Sequence, residues 1–186
     1  MVIEASGLGV RMGERWLFRD LDLAVAAGEC VAVVGANGSG KSTLLHALYG
    51  LQEPTEGTVS VVGRTPDERE PDFRRAVSVV LDDSALYDEY TPEQHMHMLG
   101  LAGETGLPDI ASVEMSAGQR RRLLLTGAVR REHRVLLLDE PERALDATAR
   151  GWLAEIITEA KKTSAVVIAS HHAPLVAKVA DQVVRL

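Results

Sequence analysis

The sequence predicts an α/β fold with a mainly parallel sheet flanked by helices and an antiparallel β-subdomain at its N-terminus. Short apolar runs such as Val135–Leu138 and Ala165–Ala169 alternate with segments of helical periodicity, which is typical of strands covered on both faces. A third run, Cys30–Val34, leads through a glycine-rich loop into a helix. In such folds ligands bind beyond the carboxyl ends of the strands, so polar residues at those ends are the candidates for function.

The N-terminal segment carries the signals of an antiparallel edge sheet. Residues 2–25 mix β-prone stretches with glycine turns, and the apolar side chains of Leu21–Val25 alternate along the strand. A further strand is predicted at Gly57–Gly63, and a solvent-exposed charged loop is predicted from Thr65 to Asp72.

Length and composition limit the possible classes of protein. The chain has 186 residues, of which 46% are hydrophobic and 25% charged, as in a soluble globular domain. Its net charge of -7 would repel a nucleic-acid backbone, so no nucleic-acid partner is expected. The single cysteine, Cys30, excludes a disulfide framework and indicates a reducing compartment. Neither a leader nor a membrane span is found, so we expect a cytoplasmic location.

The loop after Cys30–Val34 has the composition of a nucleotide-phosphate cradle. Its glycines bring bare N–H groups close to phosphate oxygens, and the helix that begins near Lys41 directs its positive dipole end at the same anion. The Lys41 ammonium can reach the β and γ phosphates in catalysis, and the Ser42 hydroxyl can hold Mg²⁺. A simple glycine turn would explain the glycines but not the Lys-Ser pair. The residues predicted to bind the nucleotide here are Gly35, Asn37, Gly38, Ser39, Gly40, Lys41, Ser42 and Thr43.

The middle of the chain gives weaker signals. A buried strand, Val77–Leu81, ends abruptly at Asp82, and a short helix and loop are predicted from Thr91 to Pro108. His95 and His97 are two positions apart, so a helix would point them away from each other, and no metal site is expected there.

Two helix starts are marked by capping residues. Ser116 and Gln119 have the spacing of a capping box, which predicts the first turn of a helix. The three arginines that follow, Arg120–Arg122, are predicted to form a solvent-exposed face. Another helix is predicted directly after Asp146, whose side chain can cap it.

Two carboxylates end the buried strand Val135–Leu138. Unpaired carboxylates next to a low-dielectric core need a cation or donors, and Mg²⁺ is the simplest partner. Asp139 would hold the metal, and Glu140 would orient or deprotonate the attacking water. Alternatively, both carboxylates cap the following turn. His171, at the end of another strand, could donate to the γ-phosphate.

The order of these motifs resembles that of the ATP-binding cassette (ABC) ATPases, the nucleotide-binding domains of ABC transporters. The resemblance covers essentially the whole chain, so a single ABC ATP-binding domain is expected over residues 1–186, with the P-loop NTPase fold of the ABC type. The matching motifs are the Walker A loop Gly35–Thr43, the Walker B strand Val135–Asp139, the catalytic glutamate Glu140, the signature motif Met115–Gln119, the D-loop Ala144–Asp146 and the switch histidine His171.

The resemblance implies a mechanism that involves two chains. Two cassettes, identical or different, pack head to tail and hold two Mg²⁺-ATP between them. Each ATP then lies between one subunit's Walker motifs and the other's D-loop residue Asp146 and signature residues Ser116, Gly118 and Gln119. It also implies that the dimer drives a separate transmembrane permease from the inner face of the cell membrane.

This chain departs from the family pattern at three places. Asp82 stands where the Q-loop usually has a glutamine, and it would contact Mg²⁺ as a carboxylate. Met12 occupies the place of the aromatic residue that stacks on adenine, with Trp16 a less favoured substitute. Only 33 positions separate Asp82 from Met115, which indicates a reduced helical subdomain at about 83–130.

Three functions are consistent with these features. The first is an ATP-hydrolysing transporter subunit, and a weaker resemblance to haem-exporter-type cassettes lies in Gly13–Arg15, the signature motif and the chain's size. The second is a soluble ATP-gated dimerisation switch or scaffold, which Asp82 and the reduced subdomain leave open. A translation or DNA-repair ATPase is disfavoured by the acidic charge and the single cassette.

Overall fold

The computed structural model describes residues 1–186 and contains eight strands and six α-helices. The strands are β1 (Ile3–Met12), β2 (Arg15–Val25), β3 (Cys30–Val34), β4 (Glu56–Val61), β5 (Val77–Val80), β6 (Val135–Asp139), β7 (Ala165–Ala169) and β8 (Gln182–Arg185). The helices are α1 (Lys41–Tyr49), α2 (Pro71–Ala76), α3 (Pro92–Met98), α4 (Ala117–Arg130), α5 (Ala147–Lys161) and α6 (Ala173–Val179). None of these helices combines the length and the apolar character that crossing a membrane requires.

The N-terminal β-subdomain is a three-stranded antiparallel sheet in the order β2-β1-β4. Ile3 of β1 pairs with Val25 on one side and with Val61 on the other, so these three apolar residues meet in one row. All three are fully buried and belong to the same core as the apolar residues of α1. The predicted antiparallel sheet is confirmed, and its packing on α1 fixes the base of the phosphate loop.

The second sheet has five parallel strands in the order β5-β6-β7-β3-β8. Alternate residues of its strands belong to different cores, as the two-residue period of a strand requires. Val31 and Val33 pack toward α1, whereas Cys30 and Ala32 pack toward the core that contains residues of α4, α5 and α6. Both faces are therefore covered, which confirms the predicted parallel sheet flanked by helices.

One element adds to the sequence prediction and another corrects it. The last residues form β8, which adds to the sheet through parallel pairs such as Val33 with Val184. The predicted charged loop ends earlier, because Pro71 begins α2 and buries Phe73 against the ring of Tyr49 at a centroid distance of 6.0 Å. A proline is well suited to a first helical position, since its missing N–H has no partner there.

The segment predicted as a reduced helical subdomain contains α3 and α4. Met96, Met115 and Leu123 form a small core of their own between these helices. His95 is buried, and its Nε2 accepts the Tyr87 N–H at 2.9 Å while its Nδ1 lies 2.9 Å from the Thr91 carbonyl. Both ring nitrogens of His95 are thus used within the protein.

Candidate active site

The carboxyl edge of the parallel sheet collects most of the residues singled out in the sequence. The phosphate loop follows β3, Asp82 lies just beyond β5, Asp139 ends β6, and Glu140 follows it. His171 follows β7, which lies between β3 and β6 in the sheet. Because all these strands run in the same direction, their polar ends meet in one cleft.

The phosphate loop depends on glycine at two positions. At Gly40, the residue before α1, φ is 102°, and an added Cβ would lie 3.0 Å from the Phe18 ring. At Gly35 an added Cβ would lie 2.5 Å from the Ser39 hydroxyl and 2.7 Å from the Leu186 carbonyl. No side chain caps the start of α1. Its first N–H groups are therefore free to bind an anion, as at other helix N-termini.

Lys41 places its ammonium group at the mouth of this loop. The side chain is buried, and Nζ donates to the carbonyls of Gly35 at 3.0 Å and Ala36 at 3.2 Å. The same nitrogen lies 3.9 Å from Glu140 Oε1. One cation thus links the phosphate loop to the end of β6.

Asp139 is a buried carboxylate without a hydrogen-bond partner. The residue is 1% exposed, and neither of its carboxylate oxygens accepts a hydrogen bond. Burial raises the pKa of Asp139 above its ordinary value, and the neighbouring Ser42 hydroxyl opposes that rise only in part. A buried unpaired carboxylate is costly, so this position is suited to a cation that approaches from the cleft.

We expect Asp139→Asn to stabilise the metal-free protein at neutral pH. The pKa of Asp139 is raised in the folded state, so ionisation destabilises the fold as pH rises above the ordinary value of 3.8, and the neutral amide avoids that penalty. A gain of about 1 kcal/mol would raise Tm by about 2–4 °C. Thermal unfolding from pH 3 to 8 should show the gain at neutral pH and lose it at the acid end. Asp109→Asn, at an exposed aspartate, is the control, and a lower Tm for Asp139→Asn at neutral pH would contradict the prediction.

Glu140 lies between two basic groups. Its Oε1 faces the Lys41 ammonium, and its Oε2 lies 2.5 Å from His171 Nδ1. Burial and then the nearby Glu142 carboxylate raise the pKa of Glu140, against the opposing effect of His171. Its backbone φ is 43°, an unusual conformation for a residue other than glycine. Neither Asp139 nor Glu140 accepts a backbone N–H of the following turn through its carboxylate, so the alternative capping role does not describe this structure.

Of the three departures from the family pattern, Met12 and Asp82 lie at the rim of the cleft. Met12 is 64% exposed and lines the same cleft as the phosphate loop. Trp16 has its ring covered by the guanidinium groups of Arg11 and Arg19, at 5.6 and 4.8 Å from the ring centroid. Because that ring is already occupied, Trp16 is poorly placed to stack on a base.

Asp82 also lines the cleft but is engaged in an ion pair. Its Oδ1 accepts a hydrogen bond from Arg143, which lies in the loop after β6. The pair lies at the surface, where such contacts contribute little to stability. Asp82 can therefore leave Arg143 at small cost if a metal binds.

The signature residues and Asp146 lie in a second cleft. Ser116 and Gln119 form the predicted capping box, with Ser116 Oγ accepting the Gln119 N–H at 3.2 Å and Gln119 Oε1 accepting the Ser116 N–H at 2.8 Å. An added Cβ at Gly118 would lie 2.8 Å from the Ala144 carbonyl, so helix α4 packs tightly on the loop after β6. Asp146 caps α5 through the Ala149 N–H at 2.7 Å, as predicted. Within one chain this group does not join the cleft that contains Lys41.

Arg121 is buried, contrary to the prediction that Arg120–Arg122 face solvent. It is 8% exposed, and it donates to the carbonyls of Asp139, Glu140 and Leu81, the last two at 2.9 and 3.4 Å. The helical period could have predicted this burial, because position 121 shares a face of α4 with the buried residues 125 and 128. Arg121 therefore joins α4 to the ends of β5 and β6.

Glu142 is a further residue of the cleft that sequence reasoning missed. It is buried, and its Oε1 accepts a hydrogen bond from Ser170 Oγ at 2.6 Å. The one sequence signal that could have identified Glu142 is its position in the Glu-Pro-Glu sequence after β6. Its carboxylate adds a second negative charge beside Glu140.

Comparisons with known proteins agree with this geometry. A family model described as ABC transporter matches residues 18–143, which is more than half of the chain. The cytochrome c biogenesis ATP-binding export protein CcmA of Nitrosococcus oceani is 34% identical, in a match covering 92% of this chain and 86% of that protein. The sulfate/thiosulfate import ATP-binding protein CysA of Synechococcus elongatus is 33% identical over 98% of this chain, although the chain spans only 59% of that relative.

Solved structures agree with the sequence comparisons. An ATP-binding subunit of an ABC transporter has a TM-score of 0.87 and 26% identity, with coverage of 100% of this chain and 86% of that chain. A dimeric ATP-binding cassette bound to ADP and Pi in a post-hydrolysis state has a TM-score of 0.82 at 20% identity, covering 99% and 94%, and supports the fold alone. The resemblance found in the motif order is thus confirmed, and the chain belongs to the ABC transporter family as an ATP-binding subunit that hydrolyses ATP.

Proposed function

We propose that Lys41, Asp139, Glu140 and His171 carry out the hydrolysis of Mg²⁺-ATP, and that two cassettes must come together to do so. The observation that supports this most directly is the pair of carboxylates at the end of β6. Asp139 is buried without a partner, while Glu140 lies between Lys41 and His171. This arrangement offers one carboxylate to a metal and another to the attacking water.

The phosphate loop binds the triphosphate in this proposal. The uncapped N–H groups of α1 and the bare loop backbone at Gly35, Asn37, Gly38, Ser39 and Gly40 contact phosphate oxygens, with Ser42 and Thr43 at the helix start. Lys41 exchanges its two carbonyl acceptors for the more strongly attracting β and γ phosphates. Met12 lies at the rim of the cleft, where it would pack on the adenine.

Asp139 and Ser42 would hold the Mg²⁺ that accompanies ATP. The two unpartnered oxygens of Asp139 fit this role, because a hard cation prefers oxygen ligands. Asp82 would join them after it leaves Arg143. Bound Mg²⁺ neutralises charge that develops on the phosphate oxygens.

Glu140 and His171 act on the nucleophile and on the γ-phosphate. Glu140 accepts the proton of the attacking water, and its raised pKa makes it a stronger base than an ordinary glutamate. The His171 Nδ1–H would donate to Glu140 and hold its side chain, and donation from Nε2 to the γ-phosphate then requires the doubly protonated imidazolium form. Each group thus has a separate task.

The second cleft supplies the partner's half of the site. Ser116, Gly118, Gln119 and Asp146 are grouped at the starts of α4 and α5, away from Lys41 of the same chain. A homodimer or heterodimer packed head to tail would bring one chain's signature helix to the other's phosphate loop. The solved cassette of the same fold that is bound to ADP and Pi is itself dimeric.

The same proposal places the dimer on a separate transmembrane permease, at the cytoplasmic face of the cell membrane. The relatives named above are an export and an import ATP-binding protein, which favours transport over a soluble switch or scaffold. We propose residues 1–186 as a single ABC ATP-binding domain, with about 83–130 as its reduced helical subdomain. The similarity to haem-exporter-type cassettes stays a prediction.

The dimeric site can be tested at the signature helix. Ser116→Arg is expected to lower the ATPase rate about a hundredfold, the typical effect of losing one donor to a reacting oxyanion, and to leave ATP binding to the isolated chain intact. The measurements are turnover over a range of protein concentrations and binding of a fluorescent ATP analogue. Glu114→Arg, at an exposed position, introduces the same side chain nearby and is the control. Full activity of Ser116→Arg would contradict the head-to-tail site.

A second prediction concerns Arg121, which we propose as a positioning residue. Its bonds to the carbonyls of Asp139 and Glu140 hold the unusual backbone of Glu140 in place. Arg121→Gln is expected to lower kcat by about 10- to 100-fold, since a small misplacement of a catalytic group has effects of this size, with little change in KM. Arg120→Gln is the control on the same helix, and Arg121→Lys should recover part of the rate. The positioning role would be refuted if Arg121→Gln, Arg121→Lys and Arg120→Gln all lost kcat to the same extent and were all destabilised to the same extent.

A further inference from the structure

A cluster of three possible metal ligands lies beside the proposed Mg²⁺ position. One carboxylate oxygen of Glu140, one of Glu142 and one ring nitrogen of His171 all lie within 4.8 Å of one another. The two carboxylates come from the loop after β6, and the imidazole comes from the loop after the neighbouring strand β7. The adjacent ends of two parallel strands therefore hold this cluster together.

Glu142 gives an independent indication that a cation belongs there. It is 4% exposed, and only Oε1 has a partner, the Ser170 hydroxyl. Its Oε2 is buried and accepts no hydrogen bond. Another member of the cluster, Glu140, is also a carboxylate, so Glu142 adds negative charge to a site that already contains one. Such an arrangement is costly unless a cation compensates for it.

The basic side chains of the cleft do not supply this cation. Lys41 approaches Glu140 through Oε1, and Arg143 is paired with Asp82. None of the ion pairs of the protein includes Glu142. Glu142 therefore has no direct ion-pair partner, and the buried Arg121 guanidinium acts on it only through a longer-range electrostatic interaction.

We propose that Glu140, Glu142 and His171 bind a divalent cation of the zinc class, at a site distinct from that of Mg²⁺. Zn²⁺ binds imidazole nitrogen and carboxylate oxygen at about 2.0–2.2 Å, whereas Mg²⁺ prefers oxygen ligands alone. Three protein ligands and a water molecule would complete a tetrahedral site. The donor set therefore selects Zn²⁺ over the metal that accompanies ATP.

Little movement is needed to form the site. Tetrahedral ligands at these bond lengths lie about 3.3 Å apart, so a separation in the cluster must close by about 1.5 Å at most. The His171 Nδ1 lies 2.5 Å from Glu140 Oε2, which is closer than two ligands of one ion, so the imidazole must move outward by about 0.8 Å. Its side chain is 68% exposed, which leaves room for that movement. The supporting groups are also present, because Ser170 Oγ donates to Glu142 and accepts the His172 N–H at 3.0 Å.

The site has a consequence that rests on the proposed function. Glu140 and His171 cannot ligate Zn²⁺ and act on the attacking water at the same time. Zn²⁺ would therefore inhibit ATP hydrolysis by occupying these two side chains, without competing with ATP for Lys41.

The test measures binding to the nucleotide-free chain, so it does not depend on activity. The chain is freed of metal with a chelator and titrated with Zn²⁺ alone by calorimetry, and with Co²⁺ while its visible spectrum is recorded. We expect one tight Zn²⁺ per chain and a tetrahedral Co²⁺ spectrum. Glu142→Gln should weaken Zn²⁺ binding by about tenfold or more, since even groups outside the ligand set have effects of 10- to 100-fold. Glu132→Gln, at an exposed carboxylate just before β6, should bind Zn²⁺ as the parent does.

Two further variants identify the position of the ion. His171→Ala removes an exposed side chain, so it should keep the fold and still lose Zn²⁺ affinity. Asp139→Asn should retain Zn²⁺ binding, because Asp139 belongs to the Mg²⁺ position. The proposal is overturned if the parent and Glu142→Gln bind Zn²⁺ with equal affinity. It is also overturned if Asp139→Asn is the only variant that loses Zn²⁺ affinity. The parent chain could fail to bind Zn²⁺ while the Ser116→Arg and Arg121→Gln variants behave as expected in the ATPase tests. That result would refute the Zn²⁺ site and leave the proposed ATPase mechanism standing.

Discussion

Glu140→Gln is expected to lower kcat by about 10²- to 10⁴-fold, the usual contribution of a general base, while ATP still binds. The amide has the shape of the carboxylate but cannot accept the proton of the attacking water. It also removes a negative charge close to where the γ-phosphate must lie, next to the Lys41 ammonium. ATP should therefore bind without being consumed, and the ATP-bound dimer should accumulate.

The measurements are single-turnover hydrolysis and size-exclusion chromatography with Mg²⁺-ATP. Glu155→Gln, on the exposed face of α5, makes the same chemical change away from the cleft and is the control. The variant should elute as a dimer with ATP and as a monomer without it. A Glu140→Gln chain that stays monomeric in ATP would contradict the dimeric site, and an unchanged rate would remove Glu140 from its proposed role.

The parts of this fold that could be predicted are those determined by neighbours in sequence. The glycines of Gly35–Gly40 and the apolar run before them lie within one stretch, so the strand, loop and helix are all visible at once. The caps at Ser116 and Asp146 are equally local, and both form as expected. In each case the backbone conformation follows from residues fewer than ten positions apart.

Other features depend on partners far away in sequence and could not be predicted in this way. Strand β8 has only four residues and is largely exposed, so it forms because β3 offers a free edge. Asp82 pairs with Arg143 at a separation of 61 positions, and no local pattern connects them. Arg121 was predicted from its residue type to face solvent, since an arginine is seldom buried without partners. Three backbone carbonyls at the ends of β5 and β6 provide those partners.

The candidate site illustrates the same division. The sequence pointed to the groups that we propose to act on phosphate and metal, because Asp139, Glu140 and His171 lie at the ends of buried strands and the phosphate loop follows another. It did not identify Glu142, since the need for a cation at that position arises only when Glu140 and His171 are brought beside it. The residue types and their neighbours in sequence thus indicate which groups are candidates for reaction. Which charges surround each group depends on the fold.

Lys41→Ala is expected to have the largest effect of all, a loss of about 10³- to 10⁵-fold in kcat/KM. Losing a hydrogen bond from a charged group costs about 1.5–3 kcal/mol, or roughly 10- to 150-fold in affinity. Losing its stabilisation of charge in the transition state adds about 10²- to 10³-fold in rate. Equilibrium binding of Mg²⁺-ATP and steady-state turnover measure the two parts separately. Lys162→Ala, at an exposed lysine, is the control, and parent-like binding by Lys41→Ala would refute the phosphate-loop assignment.

The same lysine allows a test of how charge is balanced before ATP arrives. Lys41 Nζ lies 3.9 Å from Glu140 Oε1, so Lys41→Ala leaves a partly buried carboxylate without one of its two basic neighbours. Adding Glu140→Gln removes that carboxylate, so the double variant should be less destabilised than the sum of the two single variants. Chemical denaturation without nucleotide measures this difference, with Lys162→Ala combined with Glu140→Gln as the uncoupled pair. Strict additivity for Lys41 and Glu140 would show that the two groups do not interact before ATP binds.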